Sequence, residues 1–561
     1  MDMKNIIIWG AGRIGRGFIG DLFNSENYQI TFVDAVWELV KALEENGEYR
    51  VVRAFSEDNV EEVDISGYSI LHPSQRGEIQ QVINKANIMA ISVYPQKFGA
   101  VADQLREHLL QRRKTTDEPM DILLCTNLIH AGPKFADYLY KGLDNPEKEE
   151  LEVKTGIVET LVIRICPDPP DDVRKEHPLV VWTNGYSQLP VDKYGFKGKI
   201  PEVQALRIVE DMRAEEIRKI YTYNMCHAVL SFHGHMVGHK LLVDCLADER
   251  IRKEAEGALD EVSRALQKKY KFTQKEMDEW IDGVIKHTNN PTIGDTVARS
   301  AADPIRKLKR DDRLIGPALL CQDNGIEPHY LIRAAAAAFH YREEDDETSK
   351  KLGKSVQQKG IRKTVADVGG LDDKEEELID QIIAEYHRLP EDLKWNEMAE
   401  EAFRLGFEYE KIYHGCGQCV IAAATEVLGI FDEEVFNSAT GLCGGVGLVN
   451  DATCSAFTGG AMVISMLYPR HREKFDGDRD NKYIAFDLVQ QLREKFLEKY
   501  GTIACGQIHK MLYGRPYDLR RKEERETFEE AGGHGDHGCT EVVADAAKWT
   551  VQILGDQRRR I

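Results

Sequence analysis

Short apolar runs separated by amphipathic stretches fill the first 200 residues of the chain. Ile6-Ile7-Ile8-Trp9, Ile30-Thr31-Phe32-Val33, Ile88-Met89-Ala90-Ile91 and Ile122-Leu123-Leu124 are brief and apolar almost throughout. Such runs predict strands buried on both faces of a parallel sheet. The helical patterns between them predict a doubly wound βαβ arrangement. From about Glu202 the period becomes helical, around residues 217–230, 248–269 and 330–340. Acidic clusters at 343–347 and 372–377 read as solvated loops or helix starts. Pro390 interrupts a helical stretch, which predicts a boundary there. Glycine-rich turns, a group of cysteines and more helix follow.

Composition narrows this picture. The 561 residues suggest about three domains. Charged residues make up 30% and hydrophobic residues 42%, the balance of a soluble globular protein. No apolar run reaches the ~20 residues of a membrane helix. The start, MDMKNIIIWGAG, lacks the pattern of a secretory signal, so the expected compartment is the cytoplasm. The net charge is −21, from 95 acids and 74 bases. That argues against nucleic-acid or anionic-membrane partners, which need a basic face. A small anionic substrate needs only a few local cations.

The first chemical motif is Gly10-Ala11-Gly12-Arg13-Ile14-Gly15, in G-x-G-x-x-G spacing, between the first strand and a helix. The glycines allow a tight turn, a close approach to a pyrophosphate and close helix–strand packing. The helix N-terminus favours the phosphate charge. Asp34 follows the second strand, where a carboxylate accepts from ribose hydroxyls and repels a 2′-phosphate. NAD is therefore the expected cofactor.

The second constellation is Lys219, Asn224 and His227. On a regular helix Asn224 lies about 140° and His227 about 80° from Lys219. A buried lysine with a lowered pKa is a usable base, an amide can donate to an alkoxide, and an imidazole can fix a hydroxyl. Taken alone, the set fits surface charge plus a core histidine better. Downstream, Arg306 and Lys307 head a cationic run that could hold a phosphate.

In company with Gly238-His239, Arg306-Lys307-Leu308, Asp312-Arg313-Leu314-Ile315 and the segment from Ala337 to Asp346, these motifs resemble the long-chain, polyol-specific dehydrogenases over roughly residues 3–388. The resemblance implies metal-independent, NAD-dependent interconversion of a polyol phosphate and a ketose phosphate, mannitol 1-phosphate and fructose 6-phosphate or a close relative. It makes Lys219 the general base, with Asn224 and His227 orienting the reacting oxygen. It adds Asn127 as a strand-end asparagine that helps hold the oxyanion. Ile163 and Gln188 depart from the family pattern. They keep a hexuronate reductase or an unphosphorylated polyol dehydrogenase in view, beside a cofactor-dependent sensor with an electron-transfer tail.

Six of the eleven cysteines lie beyond residue 400. Cys416 and Cys419 have the C-x-x-C spacing of a dithiol or half a metal site, and Cys454, Cys505 and Cys539 follow. Redox and metal-binding readings both stay open. This tail resembles the C_GCAxxG_C_C family, which implies a redox-linked helical domain and a possible redox partner. Cys419 and Cys443 are additions to that family's pattern. The expected architecture is an α/β Rossmann-type dinucleotide-binding domain over 1–203, a mostly α-helical catalytic domain over 204–388 and a helical Cys-rich domain over 395–561.

Overall fold

A computed structural model describes residues 4–475 and 479–558. The chain forms two compact units, Met1–Tyr386 and His387–Ile561.

The first unit is built on a six-stranded sheet. Its strands are β1 (Asn5–Trp9), β2 (Gln29–Val33), β3 (Ser69–Leu71), β4 (Ile88–Ile91), β5 (Met120–Leu124) and β6 (Thr155–Glu159). They lie parallel in the order β3-β2-β1-β4-β5-β6. This is the dinucleotide-binding order, with its switch point between β1 and β4. The four apolar runs of the sequence supply β1, β2, β4 and β5. Ile6, Ile8, Phe32 and Leu123 pack with Phe18 and Phe23 on one face. Ile7, Val33, Ile91 and Leu124 pack with Phe98 and Phe135 on the other. Ile7 and Ile8 thus bury opposite faces of one strand, as a sheet covered on both sides requires. Outside the sheet, Glu48–Ser56 pairs antiparallel with Asn59–Ser66 and parallel with Val181–Thr183.

The remainder of this unit is mostly helical. Met212–Lys219 continues through a widened π-type turn, Ile220–Asn224, into Met225–Val237. Glu249–Tyr270 starts on Asp248, whose carboxylate accepts from the Arg250 amide. Two acidic clusters begin helices in the same way. Asp346 caps Glu347–Lys359, and Asp372 caps the short turn before Glu376.

Pro390 does not end a helix. It lies inside Glu376–Tyr413, 38 residues long, and the division between the units falls within that helix. A proline leaves the carbonyl four residues earlier without its helical donor. That carbonyl belongs to Tyr386, and His340 Nε2 donates to it at 2.7 Å. The His340 ring stacks on Tyr386 at 4.0 Å.

The second unit is helical. Val420, Ile421, Ala424, Val463, Leu492, Phe496, Val543 and Val551 share its core. Its glycines permit backbone contact between helices. A Cβ on Gly459 would lie 2.4 Å from the Gly417 carbonyl, and one on Gly460 would lie 2.5 Å from Thr550 Oγ1. Helices Cys416–Leu428 and Ser455–Leu467 therefore touch near their N-termini. No helix among the described residues is long and apolar enough to cross a membrane.

Candidate functional site

The turn after β1 is shaped by its glycines. Gly10 has φ +103, and a Cβ there would meet the Ser92 carbonyl at 2.7 Å. A Cβ on Gly15 would lie 1.9 Å from the Gly10 carbonyl. Gly12 faces open space, with nothing within 4 Å of a Cβ. The loop is thus closed on the strand side and open on the side where a pyrophosphate would approach. Asp34 Oδ2 accepts from the Ala11 amide at 2.7 Å, and Oδ1 accepts from the Val36 amide at 2.9 Å. The carboxylate is held at the end of β2, beside the glycine loop. Arg13 is largely exposed and pairs with Asp168 at 2.9 Å. Ile14 packs partly buried against the core. Behind the loop, Asp21 is fully buried and paired with both Arg53 and Arg164.

Lys219, Asn224, His227, Asn127, Arg306 and Lys307 all line one cavity of about 610 Å³. The widened turn changes their angular relation. Hydrogen bonding from i to i+5 places Asn224 one turn from Lys219, where a regular helix would rotate it away. The Thr222 hydroxyl donates to the Arg218 carbonyl at 2.6 Å inside this turn. The Trp280 indole donates to that hydroxyl at 2.8 Å.

Lys219 is buried, and its Nζ donates to Asn127 Oδ1 and to the Val162 carbonyl, each at 2.6 Å. Burial and the nearby Arg313 charge lower its pKa to about 8, against a smaller opposing effect of Glu216. A neutral amine has two N–H groups. With both engaged by these two oxygens, its lone pair remains for a substrate proton. Burial and Glu159 raise the Glu216 carboxyl to about 7. His227 is largely buried, with Nε2 3.1 Å from Thr288 Oγ1. Thr288 gives its own proton to the Val284 carbonyl at 2.8 Å, so the imidazole is the donor in that pair. Burial lowers His227 to about 4 and keeps the ring neutral at pH 7.

The cationic run divides. Arg306, Lys307 and Arg313 line the cavity, joined by Arg299. Arg310 turns away to Glu375 at 2.7 Å. Lys307 is buried beside Arg313 and Arg306, and burial first and those charges second lower it to about 7.

In the second unit, Cys416, Cys454, Cys505 and Cys539 line a cavity of about 540 Å³, together with Cys443. Each of the first four stands at the start of a helix. Cys419 instead lines a separate cavity of about 570 Å³, and its thiol donates to the His414 carbonyl at 3.2 Å. The two cysteines of the C-x-x-C spacing thus line different cavities, while both thiols adjoin Glu410. Cys416 faces Cys443, which comes from a turn some 27 residues later. Among the described residues, no group of three His, Cys, Asp or Glu side chains is arranged to hold a metal ion.

Residues 4–205 match the mannitol dehydrogenase Rossmann domain, and 211–402 match the mannitol dehydrogenase C-terminal domain. A mannitol-1-phosphate 5-dehydrogenase of Caldanaerobacter subterraneus subsp. tengcongensis is 30% identical over 387 residues, 69% of this chain and 99% of that protein. The chain belongs to the mannitol dehydrogenase family. A second mannitol-1-phosphate 5-dehydrogenase, from Geobacillus stearothermophilus, is 34% identical over 355 residues, 63% of this chain and 91% of that one. A D-sorbitol dehydrogenase structure in substrate-free form aligns with a TM-score of 0.60 at 15% identity, covering 68% of this chain and 93% of that one. A Pseudomonas fluorescens mannitol 2-dehydrogenase, solved with NAD and D-mannitol, aligns at 0.55 and 15% identity, covering 69% of this chain and 92% of its own. Both structures share the fold of the first unit. Residues 414–553 match the C_GCAxxG_C_C family, whose description proposes redox activity.

As a member of the mannitol dehydrogenase family, the chain is an oxidoreductase. Neither Ile163, which is buried, nor Gln188, which is exposed, lines the Lys219 cavity. Arg299 and Glu216 are cavity residues that the sequence motifs do not mark. The spacing signals were present. Glu216 stands one turn before Lys219, and Arg299 stands one turn after Asp295, with which it pairs.

Proposed function

We propose that the first unit interconverts a polyol phosphate and a ketose phosphate with NAD, mannitol 1-phosphate and fructose 6-phosphate being the leading pair. The observation that carries this reading is the buried Lys219 amine, held by Asn127 and Val162 on a cavity that Arg306, Lys307 and Arg313 also line.

The open face of Gly12 and the Asp34 carboxylate fit a dinucleotide with free ribose hydroxyls. Bound there, NAD supplies the hydride acceptor. Neutral Lys219 takes the proton of the substrate hydroxyl as the C–H bond breaks, and in reduction its ammonium returns that proton. Asn127 fixes the amine. Asn224, one turn above it, donates to the developing alkoxide. Neutral His227 orients a neighbouring hydroxyl. Arg306, Lys307 and Arg313 bind the anionic end of the substrate, and Arg offers paired donors suited to phosphate.

The same cations also suit a carboxylate, so a hexuronate is the second reading. The two mannitol-1-phosphate 5-dehydrogenases favour phosphate. A panel of fructose 6-phosphate, free fructose and hexuronates with NADH separates the two. Selective oxidation of NADH by the ketose phosphate supports the first reading, and turnover of a hexuronate alone removes it. We place the protein in the cytoplasm and assign the second unit a redox partner that exchanges electrons with its thiols.

A further inference from the structure

The 540 Å³ cavity of the second unit holds groups that the dehydrogenase chemistry does not use. One is Glu410. It is fully buried, and neither carboxylate oxygen has a hydrogen-bond partner. Its neighbours are the thiols of Cys416 and Cys419, with His534 Nε2 at 3.7 Å. Burial raises its carboxyl to about 8 against the opposing effect of the two thiols, so Glu410 gives up its own proton, and can then accept one, just above neutral pH.

A second feature is the turn that carries Cys443. Gly444, Gly445, Val446, Gly447 and Leu448 all adopt left-handed φ, between +60° and +69°. Glycine does so freely, but Val446 is β-branched and Leu448 carries a full side chain, so the turn is strained. The turn packs close to Cys505, since a Cβ on Gly445 would lie 2.8 Å from Cys505 Cβ. Strain of this kind persists where the surrounding structure holds a group in place. The group held here is the Cys443 sulfur, against the Cys416 thiol and the backbone amides of Cys416 and Gly444. The Cys416 amide belongs to the first turn of a 13-residue helix, whose positive end favours a thiolate.

We propose that Cys443 and Cys416 form a redox-active dithiol that reduces low-molecular-weight disulfides, with Glu410 as the base that serves Cys416. The cavity has the size of a small-molecule site. In the first step the Cys443 thiolate attacks one sulfur of the substrate disulfide. A Cys443–substrate S–S bond forms, the substrate S–S bond breaks, and one substrate thiolate leaves. In the second step Glu410 takes the Cys416 proton. The Cys416 thiolate attacks Cys443, the mixed disulfide breaks, and the second substrate thiolate leaves. The substrate gains two electrons, and the dithiol loses two in becoming the Cys416–Cys443 disulfide. The Glu410 proton passes to a departing thiolate. Burial and the adjoining Glu410 carboxylate keep Cys419 protonated, while Cys443 is lowered to about 7 by the Cys416 thiol.

The test treats the reduced full-length protein with bis(2-hydroxyethyl) disulfide, followed by alkylation and peptide mass spectrometry. The expected product is a Cys416–Cys443 linked peptide with two thiols lost per chain. Cys419→Ser should form the same link. Cys416→Ser should stop at a mixed disulfide on Cys443, and Glu410→Gln should accumulate that species by slowing its resolution about a hundredfold. The proposal is overturned by a Cys416–Cys419 link, by reaction with a protein disulfide but not the small one, by thiols that stay unreactive in the folded wild-type protein, or by stoichiometric metal bound to them. The wild-type product alone decides between the pairs should any variant fail to fold.

Discussion

Burial and the nearby Arg313 charge, brought together from segments far apart in sequence, set the titration of Lys219. With its pKa near 8, the oxidation rate should rise with pH through about 8, because the neutral amine is the base. The reduction rate should fall over the same range, because the ammonium is the acid. Profiles of kcat/KM in the two directions check the opposite signs. Asp34 makes a second prediction at this scale. Replacing it with serine removes the charge that repels a 2′-phosphate, so the ratio of NADPH to NADH use should rise by about a hundredfold, as initial rates would show. The glycine loop was legible from its spacing, whereas Lys219, Asn224 and His227 stood out only through the family resemblance, since their spacing alone fits a solvated helix face better. The roles of Arg299 and Glu216 were not legible, because a cation or acid on a helix face has the same pattern whether it faces solvent or a cavity.

At the scale of elements, two helices depart from regular geometry. The widened turn at Ile220–Asn224 brings Asn224 over Lys219, and no residue preference announces it. The helix through Pro390 shows the reverse case, where a clear local signal was overruled by one tertiary hydrogen bond. His340→Ala removes the donor to the Tyr386 carbonyl and should destabilise the first unit by about 1 kcal/mol. In a Pro390→Ala background, the restored backbone N–H should make the loss smaller. Denaturant unfolding of the four proteins of this cycle measures the coupling. The C-x-x-C spacing likewise says less than the fold about the surroundings of its first cysteine. Cys416 begins a helix and shares its cavity with Cys443 from the turn at 443–448, a neighbour that the spacing could not announce. Four of the six sheet strands were visible as apolar runs. Ser69–Leu71 has only three residues, and Thr155–Glu159 mixes polar and apolar positions, so neither stood out.

At the scale of the molecule, each unit has its own core, and the family relatives span the first one. A chain ending at residue 402, where the mannitol dehydrogenase match ends, should keep the dehydrogenase activity of the full protein. Loss of that activity in a soluble, folded truncation would show that the second unit contributes to turnover. The skew of cysteines toward the C-terminus was the first sign of two chemistries. The structure gives it a physical form, a thiol-lined cavity in one unit and a lysine-centred cavity in the other.

The central claim is that Lys219 moves the proton in reduction of a ketose phosphate. Its most direct test is the initial rate of NADH oxidation with fructose 6-phosphate for the wild-type protein and for Lys219→Ala. The account predicts turnover by the wild type and a loss of about 10²–10⁴-fold in kcat for the variant, with the fold and NADH binding retained. Wild-type kcat in Lys219→Ala, or no turnover of the ketose phosphate by the wild type, would contradict it.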